Sequence, residues 1–116
     1  MDDPVETATA TTWHPTLPAD SVTEGRIHAA QAGEVPVILL RSAGGVVAYR
    51  DACPHEKFPF SKNGELEDDV LTCRKHLWQF RIDDGIHISR LQRPHCNLTR
   101  YPTRVVGGQV EVGLDG

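Results

Sequence analysis

Cysteine is scarce in this chain, with three residues in 116. So low and odd a count builds no disulfide framework. Where such thiols stand at metal-ligand spacing beside His, they point to a reducing compartment. Positive charge is also short: 12 Lys and Arg stand against 16 Asp and Glu, for a net −4. That balance excludes general nucleic-acid binding, which needs a basic face. No apolar run approaches the ~18 residues that span a membrane, and the opening Met1-Asp2-Asp3-Pro4 lacks the basic-then-apolar pattern of an export signal. The expectation is a soluble, cytoplasmic monomer with neither a membrane nor a nucleic acid as partner. The sequence also holds no phosphate loop, no glycine fingerprint for a dinucleotide, no nucleophile–base pair, no internal repeat and no sustained helical period.

What is present reads as short strands separated by turns. Residues 1–12, rich in Thr, Ala and acid, are expected to be a disordered tail, leaving 13–116 as a single domain. Trp13 and Leu17 are the first core anchors. Ser21-Val22-Thr23-Glu24 matches a capping box, but Gly25 follows at once, so one helical turn is the most it can start. Residues 26–30 read as a strand with Ile27 inward. Residues 35–40 form a continuous apolar run, suited to a strand buried on both faces. After a turn at 42–45, residues 46–49 complete a hairpin. Residues 68–72 and 78–82 read as further strands, the acidic run 65–69 as a solvated turn, and Asp83-Asp84-Gly85 as the turn before a return at 86–89. Residues 90–100 read as loop, and 105–112 as a closing hairpin around Gly107-Gly108. The fold class expected is all-β, a small sandwich or barrel.

The chemistry concentrates in residues 53–76: Cys53-Pro54-His55, then residues 56–72, then Cys73-Arg74-Lys75-His76. Two thiolates and two imidazoles suit zinc or an iron–sulfur cluster. One Cys and one His from each of two loops is what a [2Fe–2S] cluster needs when two Cys hold one iron and two His the other. Structural zinc is the alternative, although zinc pairs are commonly spaced by two to four residues. Pro59, Asn63 and Gly64 between the pairs let the chain double back and bring the loops face to face.

This pattern resembles the Rieske [2Fe–2S] signature. The continuation His76-Leu77-Trp78-Gln79-Phe80 is most similar to the Rieske ferredoxins of bacterial soluble di-iron monooxygenases, of the toluene, alkene and isoprene type. The resemblance covers roughly residues 45–112. It implies stacked antiparallel sheets with a two-loop cluster-binding part over about residues 51–90. It implies that Cys53 and Cys73 bind one iron and His55 and His76 the other. It also implies a role: carrying single electrons from an NADH-dependent flavin reductase to a di-iron hydroxylase, with no bond chemistry of its own. The Rieske ferredoxin of an aromatic-ring-hydroxylating dioxygenase is the near alternative, and Leu77-Trp78 favours the monooxygenase. Respiratory-chain Rieske proteins carry a disulfide where Phe58 and Lys75 stand here, and a cluster-bonding Ser where Trp78 stands.

Four further residues bear on partner docking. Trp78 reads either as a core aromatic or as part of a docking face. Lys57, Arg74 and Lys75, interleaved with the ligands, read as a positive collar that orients a partner. Cys96 reads as a small apolar filler, and His95 as part of a loop covering the cluster. His14, His28 and His87 read as strand surface.

Overall fold

The apolar run at residues 35–40 lies within β3 (Val35–Ser42), which occupies the middle of the molecule. The computed structural model describes residues 11–42, 45–54, 58–75, 77–88 and 97–115. Val37, Ile38, Leu39 and Leu40 are all fully buried. Such burial is possible along consecutive residues only if both faces of the strand are covered, because neighbouring side chains point opposite ways. Ile38 and Leu40 enter one core, and Val37 and Leu39 enter another. Each of these side chains contributes about 1.5–3 kcal/mol on burial.

β3 pairs on one side with β2 (His28–Ala32) and on the other with β4 (Gly45–Arg50), both antiparallel. β8 (Arg100–Tyr101) joins the far side of β4, completing a four-stranded central sheet. One face packs on a three-stranded sheet in which β10 (Gln109–Asp115) lies between β1 (Thr11–Pro18) and β9 (Thr103–Val106). Val110 and Val112 of β10 fill that core with Val37, Leu39 and Ala48. The other face packs on a third sheet, β5 (Gly64–Glu67), β6 (Val70–Cys73) and β7 (Trp78–Arg81). Phe60, Leu71, Trp78 and Phe80 meet Ile38, Leu40, Val47 and Tyr49 there. The only α-helix among the described residues is one turn, α1 (Phe60–Asn63). The class is therefore all-β, with stacked antiparallel sheets and the third sheet as an appended subdomain.

Several local expectations change. Thr11 and Thr12, assigned by sequence to the tail, open β1; residues 1–10 lie outside the described residues. The strand tolerates Pro15 and Pro18 because it lies at a sheet edge and its register to β10 slips between them. Trp13 belongs to neither core; its half-buried ring lies under the Arg104 guanidinium, 4.3 Å from its carbon to the ring centroid. Leu17 does pack on the second core. The capping-box sequence starts no helix, and a 3₁₀ turn at Ala19–Ser21 precedes it. The acidic run is not a solvated turn throughout: Glu65 and Glu67 lie in β5, paired to Thr72 and Val70. Only Asp68 and Asp69 turn, with φ of 53° and 62°. Both central residues of a type I′ hairpin need such angles, and Asp tolerates them better than most. The return at 86–89 shrinks to a single bridge between Phe80 and His87 among the described residues.

Candidate metal centre

Two loops at one end of the third sheet carry the expected ligands. The first leaves β4. The Asp51 N–H donates to the Pro36 carbonyl (3.0 Å), and the Cys53 N–H donates across the bend to the Phe58 carbonyl (2.8 Å). Pro59, extended at φ −69° and ψ 129°, then delivers α1. The second loop is the connection from β6 to β7. Cys73 ends β6 opposite Gly64 on one side and Trp78 on the other. The Leu77 N–H donates to the Cys73 carbonyl (2.7 Å), closing the loop over residues 73–77.

Both loops are mounted on α1. The Asp51 carboxylate, only 8% exposed, accepts hydrogen bonds from the Ser61 N–H (2.9 Å) and the Ser61 hydroxyl. A carboxylate at the start of a helical turn satisfies amides that have no partner within the turn. On the opposite side the Arg74 N–H donates to the Asn63 carbonyl (2.7 Å), and the Arg74 guanidinium donates to the Lys62 carbonyl (3.1 Å). One turn of helix thus fixes the stems of both loops. Phe60 pins it from below, buried in the same core as both cysteines and edge-to-face with Phe80. Tyr49 ties this subdomain to the central sheet: its hydroxyl donates to the Ile82 carbonyl (2.7 Å). Burial pushes its pKa up to about 12, so it remains a donor across the working range.

Cys53 and Cys73 are each 1% exposed and share this core. Among the described residues no disulfide joins either of them. Two buried thiols, one from each of two loops on a common mount, fit the thiolate half of a [2Fe–2S] donor set. His55, His76 and Lys57 lie outside the described residues, as do His95 and Cys96.

The other residues expected at the docking face divide. Trp78, offered as a docking residue, is 4% exposed and belongs to the core; its place opposite Cys73 points it inward, so it presents no face to a partner. Arg74 is half exposed, but it is engaged sideways with Lys62 and lies 3.9 Å from the Glu65 carboxylate. Lys75 is exposed, with its ammonium 5.3 Å above the Phe58 ring, so the second loop leans on the first through a cation–π contact.

Three features escaped the sequence reading. Asp51 and Ser61 gave no signal, because their pairing spans ten positions and depends on the fold. His87, read as strand surface, stacks on Trp78. Leu77 lies at φ 60° and is 68% exposed. A left-handed backbone costs a residue with a Cβ about 1–2 kcal/mol, and an exposed side chain returns little of that through packing.

A family model described as the Rieske [2Fe–2S] domain matches residues 12–102. The ferredoxin component of the alkene monooxygenase system of Xanthobacter autotrophicus is 31% identical over 96 residues, covering 83% of this chain and 76% of that one. The anthranilate 1,2-dioxygenase ferredoxin subunit of Burkholderia cepacia is 32% identical over 112 residues, covering 92% and 96%. Among solved structures, the terminal oxygenase of carbazole 1,9a-dioxygenase from Nocardioides aromaticivorans superposes with a TM-score of 0.76 at 30% identity over 94% of this chain, which spans only 32% of that larger chain. A chain in the complex of reduced oxygenase and oxidized ferredoxin of carbazole 1,9a-dioxygenase superposes with a TM-score of 0.71 at 26% identity, with 86% of this chain and 91% of that one covered.

Proposed function

This chain belongs to the Rieske [2Fe–2S] domain family, and from that premise we propose that it is the electron-carrying ferredoxin of a multicomponent monooxygenase. In this reading it accepts single electrons from an NADH-dependent flavin reductase and delivers them to a di-iron hydroxylase. The cofactor is a Rieske-type [2Fe–2S] cluster, which when bound supplies a one-electron redox centre. Cys53 and Cys73 would hold one iron, and His55 and His76 the other. The chain's own work is to fix the donors. α1 holds both loop stems, and the core buries both thiols away from water and stray oxidants. Nothing in this role asks the chain to make or break a covalent bond.

The observation that carries the reading is the pair of buried cysteines on loops sharing one mount, in a chain that spans most of the length of two ferredoxin relatives. The test is direct. Purified protein is expected to be coloured and to give a Rieske electron paramagnetic resonance signal after dithionite. With reductase and hydroxylase added, it is expected to couple NADH oxidation to product formation. A colourless preparation that stays silent after dithionite would sink the cluster.

The longer match to the anthranilate dioxygenase ferredoxin favours a second reading, in which the partner is an aromatic-ring dioxygenase. Leu77-Trp78 after the second His is the feature that favours the monooxygenase. Supplying the reduced protein to purified oxygenases of both kinds separates the two.

A further inference from the structure

Leu77 is the one described residue of the two loops that combines a left-handed backbone with a largely exposed apolar side chain. Its conformation is the one glycine adopts without penalty. The bond from its N–H to the Cys73 carbonyl uses only backbone and would survive any substitution that keeps this conformation. The isobutyl group therefore does nothing for the turn and, at 68% exposure, little for the core. Strain held at a loop tip by a side chain without an internal role indicates an external one.

We propose that Leu77 is the apolar anchor by which this chain docks on its oxygenase partner, entering a nonpolar pocket edged by carboxylates. The proposal rests on the electron-carrier reading above and adds the contact that reading leaves unnamed. The pocket's nonpolar floor follows from Leu77 itself. Its acidic edge follows from Lys75, exposed two residues away; Arg74 on the same loop is turned aside toward Glu65 and Lys62. Lys75 is already braced on Phe58, so its charge is presented with little freedom left to lose on binding. A residue desolvated at the centre of an interface, within a rim that excludes water, is where binding energy concentrates. Leu77 also adjoins a proposed ligand, His76, so anchoring it would fix the distance over which an electron must pass.

Three substitutions separate docking from structure. Leu77→Gly relieves the backbone and removes the side chain. Leu77→Asn tolerates the same backbone and keeps the bulk but makes it polar. Leu77→Met keeps an apolar group. Each is loaded with cluster and titrated against two probes, the oxygenase component of an alkene monooxygenase system and that of an anthranilate 1,2-dioxygenase system, the kinds of system to which the two ferredoxin relatives belong. Leu77→Gly and Leu77→Asn are expected to keep the wild-type spectrum and reduction potential and to melt no lower than wild type, while binding weakens about tenfold. Leu77→Met is expected to bind within about twofold of wild type. Wild-type binding by the Gly and Asn variants overturns the anchor while leaving the carrier reading intact. Loss of cluster or of stability in Leu77→Gly also overturns it, because the side chain would then be structural. If the wild-type chain binds neither oxygenase, the carrier reading fails first and the anchor with it.

Discussion

The indole of Trp78 stacks on the imidazole of His87, with ring centroids 4.5 Å apart and planes 19° apart. Phe80 lies on the other flank, 5.3 Å from the same imidazole. Backbone bonds from the Arg81 N–H to the Ile86 carbonyl and from the Ile88 N–H to the Gln79 carbonyl bring the following segment back beside β7, and the stack adds a side-chain contact to them. Its loss is measurable. His87→Ala is expected to cost about 0.5–1.5 kcal/mol, the usual worth of a stacked aromatic pair. Trp78→Ala, which also empties a buried site, is expected to cost about 3–5 kcal/mol. Urea unfolding of the cluster-loaded protein checks both. Equal losses for the two variants would contradict the separation of stacking from burial.

Asp51 and Ser61 provide the second test. Ser61→Ala removes one hydroxyl donor to the carboxylate and keeps the backbone N–H bond, so a loss of about 1.5 kcal/mol, the low end for a bond to a charged group, is expected. Asp51→Ala leaves both Ser61 donors without their acceptor in a part-buried site, and about 1–3 kcal/mol is expected. Because the pair ties the first loop to the turn that also holds the second, Asp51→Ala should speed cluster loss to a chelator more than Ser61→Ala does. Chelator-induced bleaching of the visible spectrum reads this out.

Acid should weaken the fold partly through His28, at the start of β2. Desolvation, and next the positive charge of Arg26, hold its pKa below the usual imidazole value. Its Nε2 accepts the Thr23 N–H at 3.1 Å, a bond that requires the neutral ring. The unfolded chain takes up this proton near about pH 6.5, and the folded chain only at lower pH. The contribution is therefore fully present above about pH 6.5, falls as pH drops through the folded pKa, and then levels off. Denaturant midpoints measured between about pH 7.5 and 5 should show a slope that His28→Gln reduces. An identical slope in the variant would remove His28 from the account.

Much of this was legible in the sequence, for reasons that identify what was not. The run at residues 35–40 announced a strand with two covered faces, and β3 feeds two cores because no other arrangement buries consecutive apolar residues in a strand. Gly107 and Gly108, at φ 59° and 82°, turn the closing hairpin as their order implied. Cys53 and Cys73 stand at the bases of two adjoining loops, as their spacing suggested. By contrast, β5 carries one apolar side chain between two exposed acids, so its pattern resembles a turn, and it becomes a strand by pairing with β6. β1 was obscured by two prolines that only an edge strand accepts. The Asp51–Ser61 and Trp78–His87 contacts join residues nine or ten apart through tertiary structure, which no local pattern encodes.

The collar is testable at one residue. Lys75 is exposed and braced, whereas Arg74 is diverted toward Glu65 and Lys62. Lys75→Glu reverses a charge that adjoins the proposed ligand His76 in sequence, in a chain whose net charge is already −4. Stopped-flow reduction of the oxygenase partner is expected to slow about tenfold at low ionic strength, with the gap closing as salt screens the rim. The midpoint of unfolding should shift by no more than about 1 kcal/mol, the worth of an exposed cation–π contact. An unchanged rate at low salt would take Lys75 out of docking.

The reduction potential follows from what surrounds the cysteines. Respiratory-chain Rieske proteins place a Ser hydroxyl where this chain has Trp78, and a disulfide where it has Phe58 and Lys75. Trp78 is buried among apolar side chains and has no hydroxyl, while Lys75 spans to Phe58 only by a cation–π contact. A hydrogen bond to a charged acceptor is worth about 1.5–3 kcal/mol, and about 1.4 kcal/mol corresponds to ~59 mV for one electron. Such a bond favours the reduced, more negative cluster, so lacking it lowers the potential. The midpoint is expected near about −150 mV, the low end of the Rieske range. That value suits the carrier role proposed above, between an NADH-dependent reductase and an oxygen-activating partner. Redox titration followed by electron paramagnetic resonance measures it directly. A midpoint above zero would overturn this expectation.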